Sequence, residues 1–233
     1  MEILFFMPLS SFELFLKTRS IHPLVDPHIP YNSYVPLDLS VKNTELRAID
    51  MSNSKALETF IWRQIKMHNA KVAFGGYLEH RAIYNRSTYF NKADSVEARN
   101  IHLGLDLWLN AGSTIYAPLG GEIHSFKNNT NFGDYGPTLI LKHKFDEFEF
   151  YTLYGHLSLA SIDDLKIGQK ILQGQQIGTL GTAEVNGDYP PHLHFQIIKD
   201  IQDYHGDYPG VSNRFNLEFY KMNCPDPNLL LHI

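Results

Sequence analysis

The stretch that decides the fold is Ile101-His-Leu-Gly-Leu-Asp-Leu-Trp-Leu-Asn110, in which apolar residues occupy every second position. Such alternation is typical of a β-strand, whose successive side chains point to opposite faces. His102, Gly104, Asp106 and Trp108 fall on one face, and the intervening Ile and Leu residues fall on the other, which we assign to the core. A histidine and a carboxylate therefore project to the same side, and the glycine between them leaves room for a group against the backbone.

A second strand pattern follows in Pro190-Pro-His-Leu-His-Phe-Gln-Ile197. Here His192, His194 and Gln196 share a face, while the apolar residues between them point to the core. Two histidines at this spacing lie within reach of a common centre. The sequence thus predicts a second pair of polar site residues.

His156 comes at the end of the aromatic segment Phe150-Tyr-Thr-Leu-Tyr-Gly-His-Leu157. Read as a strand, this segment places His156 on the face that carries Thr152 and Tyr154. We therefore expect Tyr154 to be a candidate hydrogen-bond donor beside the site, with core packing as its alternative role.

Imidazole nitrogen and carboxylate oxygen together are ligands that suit zinc. The His-Glu-x-x-His helix of many zinc proteases does not occur in the sequence. Non-haem iron fits the His-x-x-x-Asp spacing less well. A cupin barrel, which also carries His-x-His on a strand, is the runner-up fold, but the first Glu after His194 is Glu218.

From about residue 71 onward, short runs rich in Val, Ile, Tyr, Phe and Thr alternate with Gly and Asn turns, which indicates a mainly β fold. Residues 1–70 contain several prolines and read as an extension packed on a domain of residues 71–233. We predict one helix there, over 52–67, capped by Ser52 or Ser54. Leu57, Phe60, Ile61 and Ile65 form its apolar stripe. Short strands are predicted at 35–40 and 46–51.

Composition excludes several classes of function. The 233 residues are 43% hydrophobic and carry a net charge of −5, which argues against disorder and against nucleic-acid binding. The single cysteine, Cys224, can form neither an internal disulfide nor a cysteine zinc site. The apolar run 3–9 is far shorter than the ~20 residues of a membrane span, and it makes a poor signal peptide. We therefore predict a cytoplasmic protein.

Three motifs resemble, in their order along the chain, those of the lysostaphin-type (LytM, DD-endopeptidase) zinc metallopeptidases, metallopeptidase family 23. They are His102-Leu-Gly-Leu-Asp106, Tyr154-Gly-His-Leu157 and Pro191-His-Leu-His-Phe195. The resemblance covers roughly residues 98–200. It implies an open antiparallel β-sheet or sandwich with a groove across the sheet. It also implies that Zn²⁺ is bound by His102, Asp106 and His194, and that His156 and His192 are the catalytic pair.

The resemblance further implies an endopeptidase or amidase in which zinc-bound water attacks a peptide or amide carbonyl, assisted by the two histidines. The motifs contain no Glu base, and the sequence leaves open which of His156 and His192 is the base. Two alternatives stay open: a secreted hydrolase of peptidoglycan cross-links, and a non-catalytic metal-binding scaffold. The oligomeric state is likewise open.

The segment before the motifs departs from the usual family pattern. It contains Gly75-Gly-Tyr-Leu-Glu-His-Arg81, followed by Arg86 and Arg99. Arginine pairs readily with anionic groups, so this segment suggests a small soluble peptide substrate with an anionic group, ordinary surface charge being the alternative.

Overall fold

An eight-stranded mixed sheet organises the chain in the computed structural model, which describes residues 8–51, 53–86 and 97–233. The mainly β class predicted from the sequence is confirmed. In chain order the strands are β1 (Tyr34–Pro36), β2 (Val72–Gly75), β3 (Ile101–His102), β4 (Leu105–Trp108), β5 (Thr114–Tyr116), β6 (Gly121–Asn129), β7 (Gly136–Phe145), β8 (Phe148–Gly155), β9 (Lys170–Ile171), β10 (Gln176–Thr179), β11 (His192–Ile198) and β12 (Val211–Ser212). The α-helices are α1 (Ser11–Lys17), α2 (Ser54–Met67), α3 (Leu217–Asn223) and α4 (Asn228–Leu231). Short 3-10 turns lie at Tyr31–Ser33, Thr44–Ala48, Ile83–Arg86 and Leu159–Ser161.

The strand order of the large sheet places the three sequence motifs side by side. The order is β1-β2-β4-β11-β8-β7-β6-β9, in which β1 and β2 pair in parallel and the other neighbours pair antiparallel. On β11, His194 lies opposite Asp106 of β4 and opposite Gly155 of β8. Residues far apart in the chain therefore meet at the middle of one sheet.

The stretch 101–110 is not one continuous strand as predicted. It divides into β3, which pairs with β12, and β4, which belongs to the large sheet. The break falls at Leu103 and Gly104, where the Leu103 amide donates to the carbonyl of Gly210. The division into faces survives the break, because His102 and Asp106 still converge while the leucines of β4 pack into the main core.

Both faces of the central strands are covered. The alternating apolar residues of β4, β8 and β11 build the main core. On the other side, the predicted stripe of α2 is buried against Trp108, Tyr189 and Val211 in a second apolar cluster. The helix α2 therefore packs on the face that carries the polar motif residues, whereas α1 packs in the main core.

Three details of the N-terminal region differ from expectation. The helix α2 is capped by Asn53, whose side chain accepts from the amides of Lys55 and Ala56, so Ser54 is not the cap. Ser52 lies outside the described residues. Residues 44–48 form a 3-10 turn in place of a predicted strand.

The described part of this region holds two α-helices rather than the one predicted. The additional helix, α1, spans only seven residues, too few to show a helical period in the sequence. Its signal was the capping box of Ser10 and Glu13, in which each side chain bonds the other's backbone amide.

Candidate metal centre

His102, Asp106 and His194 form a buried cluster with the composition of a zinc site. Asp106 Oδ1 lies 3.3 Å from His102 Nε2 and 3.3 Å from His194 Nδ1, and the two nitrogens are 2.8 Å apart. The ligand atoms of a tetrahedral zinc, each about 2.0–2.2 Å from the ion, lie about 3.3 Å from one another. The triangle therefore has nearly the size that one such ion requires.

The neighbours of the two imidazoles decide which nitrogen of each ring carries a proton. His102 Nδ1 faces the carbonyl of Gly76 at 2.9 Å, and a carbonyl only accepts, so Nδ1 donates. His194 Nε2 donates in the same way to Oε1 of Gln196 at 2.9 Å. The facing nitrogens, His102 Nε2 and His194 Nδ1, are therefore both lone-pair donors to a ligand.

The arrangement of His102, Asp106 and His194 fits a bound cation. Two imidazole lone pairs and a carboxylate oxygen converge on one point, and Asp106 Oδ1 is buried without a hydrogen-bond partner in the described part of the chain. Three converging acceptors repel one another unless a positive charge lies between them. Burial of His102, with the positive Arg81 nearby, lowers its pKa to about 3 and keeps the ring neutral, the form that binds metals.

His156 and His192 lie beside this cluster as a second pair. Their ring centroids are 4.2 Å apart, and His192 Nε2 is 3.9 Å from Asp106 Oδ1. His156 Nδ1 donates to the carbonyl of Asn186 at 2.8 Å, and His192 Nδ1 donates to that of Pro190 at 2.8 Å. Each ring therefore keeps an unprotonated Nε2. Burial lowers the pKa of both rings, so both are neutral at neutral pH.

The predicted face of His156 was wrong. β8 ends at Gly155, and His156 has φ 63°, a left-handed conformation that is uncommon outside glycine. Its amide donates to the carbonyl of Tyr135, and its carbonyl accepts from the amide of Gly181. This break in the alternation turns the ring toward His192, away from the side chains of Thr152 and Tyr154.

Tyr154 is accordingly not a donor at the site. Its ring is fully buried in the main core, and its hydroxyl accepts from Thr152 Oγ1. Tyr135 takes that place: its hydroxyl is 3.4 Å from His194 Nε2, and its ring packs on His156 and His194. Sequence periodicity could not indicate Tyr135, which immediately precedes β7 in the turn after β6.

The three arginines are held by the protein itself. Arg81 is buried and pairs with Asp106 and Glu79. Arg86 pairs with Asp188 and packs over the Tyr189 ring. Arg99 donates to the carbonyl of Val211. The predicted role of Arg81 in pairing with a substrate anion does not fit its two internal carboxylate partners.

The metal cluster and the histidine pair line one cavity with residues from three parts of the chain. Leu39 and Leu57 come from the N-terminal region, Asp134 and Tyr135 from the turn before β7, and Asp207 to Val211 from the segment after β11. The cavity is therefore lined by both apolar side chains and carboxylates.

Residues 100–206 match the model of peptidase family M23. This segment, somewhat less than half of the chain, is therefore similar to peptidase family M23, and we call it the M23 segment. The three candidate ligands and the pair of His156 and His192 fall inside the M23 segment, and Arg81, Glu79 and Gly76 fall outside it.

Relatives of the M23 segment include a curated protein and solved structures. The chain is 33% identical over 98 residues to the peptidoglycan DD-endopeptidase ShyC of Vibrio cholerae, an alignment that covers 42% of this chain and 20% of the relative. It thus spans about a fifth of that relative's length. The catalytic domain of lysostaphin from Staphylococcus simulans is 24% identical, with 61% of this chain and 99% of that chain covered and a TM-score of 0.37. A zinc-containing peptidase from Vibrio cholerae is 25% identical, with 53% and 36% covered and a TM-score of 0.34.

Among the described residues, no helix combines the length and apolar character needed to cross a membrane.

Proposed function

We propose that this protein is a zinc-dependent hydrolase of peptide or amide bonds. The observation that carries the proposal is the juxtaposition of a three-ligand cluster with a pair of neutral histidines in one cavity. His102, Asp106 and His194 would hold the ion. Zinc bound there supplies Lewis-acid polarisation of a carbonyl and acidifies water toward a pKa of about 7.

His156 and His192 handle protons in this proposal. Each donates Nδ1–H to a backbone carbonyl, which fixes the ring and leaves Nε2 facing the cavity. A neutral ring with a free Nε2 can accept a proton from the attacking water and later return one to the leaving amine. His192 Nε2 lies 3.9 Å from Asp106 Oδ1, the nearer approach to the ligand cluster, and we assign His192 as the base.

The enclosure of the site favours small peptides as substrates. His156 and His192 are only 5% and 6% exposed, and Leu39 and Leu57 of the N-terminal region form part of the cavity wall. We include in the proposal that residues 1–70 act as an extension that closes one side of a catalytic domain of residues 71–233. The DD-endopeptidase relative suggests peptides of the peptidoglycan type. The cytoplasmic location predicted from the sequence stays a proposal.

Two substitutions test the division of labour. Asp106→Ala removes a charged ligand and should lower zinc content, measured by metal analysis of the purified protein. His156→Ala should keep zinc bound while turnover falls by about 10²- to 10⁴-fold, the range for loss of an acid–base group. Turnover is measured by mass spectrometry on soluble cross-linked peptidoglycan peptides.

His124→Ala is the matched control. His124 contacts Ser125, Tyr151 and His205 and lies outside the cavity, so both zinc content and turnover should stay at the wild-type level. Loss of zinc in His156→Ala would make that residue a ligand and overturn the assignment. A zinc-loaded wild type that hydrolyses no peptide would favour the scaffold alternative, and efficient release of fragments from intact sacculi would overturn the preference for small substrates.

A further inference from the structure

A row of charged side chains, formed by the partly buried Glu79 and the buried Arg81 and Asp106, connects the N-terminal region to the metal centre. Arg81 Nη1 donates to Asp106 Oδ2 at 2.6 Å, and Arg81 Nε donates to Glu79 Oε2 at 2.5 Å. The other Glu79 oxygen, Oε1, accepts from the amide of Leu39 at 2.9 Å. The arginine is 4% exposed, so its hydrogen bonds are shielded from water. The row ends on the carboxylate whose Oδ1 faces His102 and His194.

We propose that Arg81, held in place by Glu79, is a positioning residue for the metal centre. It occupies Oδ2 of Asp106 and thereby presents Oδ1 alone to the ion. This inference rests on the zinc site of the proposed function, because it assigns a role in holding the ion to residues that do not themselves touch it.

The geometry of guanidinium explains why an arginine occupies this position. Its planar fork carries several N–H groups in fixed directions and can bind two carboxylates at once, which a lysine ammonium on a flexible stem does less well. Asp106 cannot turn about its Cβ–Cγ bond without breaking a charged hydrogen bond in a buried site. Glu79 balances the positive charge of Arg81, so the arginine orients the carboxylate without adding net positive charge beside a cation.

Gly76 adds a second support to the same centre. Its carbonyl accepts from His102 Nδ1 at 2.9 Å, and its φ is +105°, a conformation that favours glycine. A Cβ at this position would lie 1.9 Å from Arg81 Nη2 and 3.0 Å from His102 Nδ1. The stretch Gly75–Arg81, which departs from the usual family pattern, thus supports the metal ligands. It precedes the M23 segment in the chain.

Zinc affinity of Arg81 variants tests the proposal. Affinity is measured by competition with a chromophoric chelator, and ligand geometry by the visible absorption spectrum after Co²⁺ replaces zinc. Arg81→Met should weaken zinc binding by about 10- to 100-fold, the usual effect of losing a residue that orients a ligand. Arg81→Lys should recover only part of this loss, and both variants should change the Co²⁺ spectrum.

Arg86→Met is the matched control, because Arg86 is equally buried and paired with Asp188 but touches none of the three ligands. Its zinc affinity should equal that of the wild type. Should Arg81→Met fail to fold, Glu79→Gln provides a second test: it leaves the positive charge of Arg81 unbalanced and should also weaken zinc binding. Wild-type affinity and spectrum in folded Arg81→Lys and Glu79→Gln would overturn the inference, whereas a wild type that binds no zinc would overturn the proposed function itself.

Discussion

Gly104 offers a sharp test of how the metal centre is packed. The His194 ring lies directly against the backbone at Gly104: an added Cβ would be 2.5 Å from Cε1 and 2.6 Å from Nε2 of that ring. It would also be 2.8 Å from the carbonyl oxygen of Phe195. Because carbon atoms in contact are normally about 3.5–4.0 Å apart, Gly104→Ala creates an overlap of about 1 Å.

The added methyl group cannot move away from the ring, because the Phe195 carbonyl, its other contact, belongs to the backbone of β11 in the centre of the sheet. The His194 ring must therefore move to relieve the overlap. Overpacking of this kind costs about 1–3 kcal/mol of unfolding free energy. Movement of the ring also disturbs its 2.9 Å hydrogen bond to Gln196 and carries Nδ1 away from the other two ligand atoms. We expect zinc affinity to fall by at least the 10- to 100-fold typical of a disturbed ligand-orienting contact.

Urea unfolding and chelator competition measure the two effects. Gly120→Ala is the control, because a Cβ there meets its nearest atoms at 3.5 and 3.6 Å, an ordinary contact. That variant should stay within about 0.5 kcal/mol of the wild type and bind zinc normally. If Gly104→Ala binds zinc as tightly as the wild type, the ring is not confined as the structure indicates, and the reasoning fails.

Four further outcomes are expected. Burial lowers the pKa of His143 to about 4 from an ordinary 6.5, because the folded state disfavours the protonated ring. The free energy of unfolding is therefore highest above pH 6.5, where the ring is neutral in both states, and it decreases as the pH falls toward 4. This contribution is about 2 kcal/mol at pH 5, so the fall in unfolding free energy between pH 7.5 and pH 5, measured with urea, should be smaller by about that amount in His143→Gln than in the wild type. Asn53→Ala should cost about 1 kcal/mol in the same assay, because two amides of α2 lose their acceptor. Phe60→Ala, at a position 2% exposed, should cost about 3–5 kcal/mol, and a smaller loss would show that the N-terminal region contributes little. Removal of zinc by a chelator should lower the melting temperature, and re-addition at 100 times the Kd should restore about 2.7 kcal/mol; an unchanged melting temperature would argue against a bound ion.

The local pattern of the sequence was enough to predict the class of fold and the strand faces that carry candidate polar residues, whereas the choice of three of them as zinc ligands came from the family resemblance. Alternation along 101–110 and 190–197 predicted that His102, Asp106 and His194 lie on faces away from the main core, and the structure brings them together. Alternation is a local property of extended backbone, so it is visible in the sequence wherever one face of a strand packs in the core and the other carries polar residues. The apolar stripe of α2 was predictable for the same reason, since burial of one face repeats with the helical period.

The tertiary structure alone decided everything that depends on a partner distant in the chain or on a break in the pattern. His156 turns into the site because its backbone leaves the extended region, and a single residue with positive φ cannot be seen in a periodicity. Tyr135 replaces Tyr154 beside the histidines because the strand register and a turn place it there. The sequence suggested that Arg81 pairs with a substrate anion, with surface charge as the alternative, yet Arg81 lies buried between Asp106 and Glu79. Burial and charge pairing between distant segments depend on how the whole chain packs, and a local sequence pattern contains no information about those contacts.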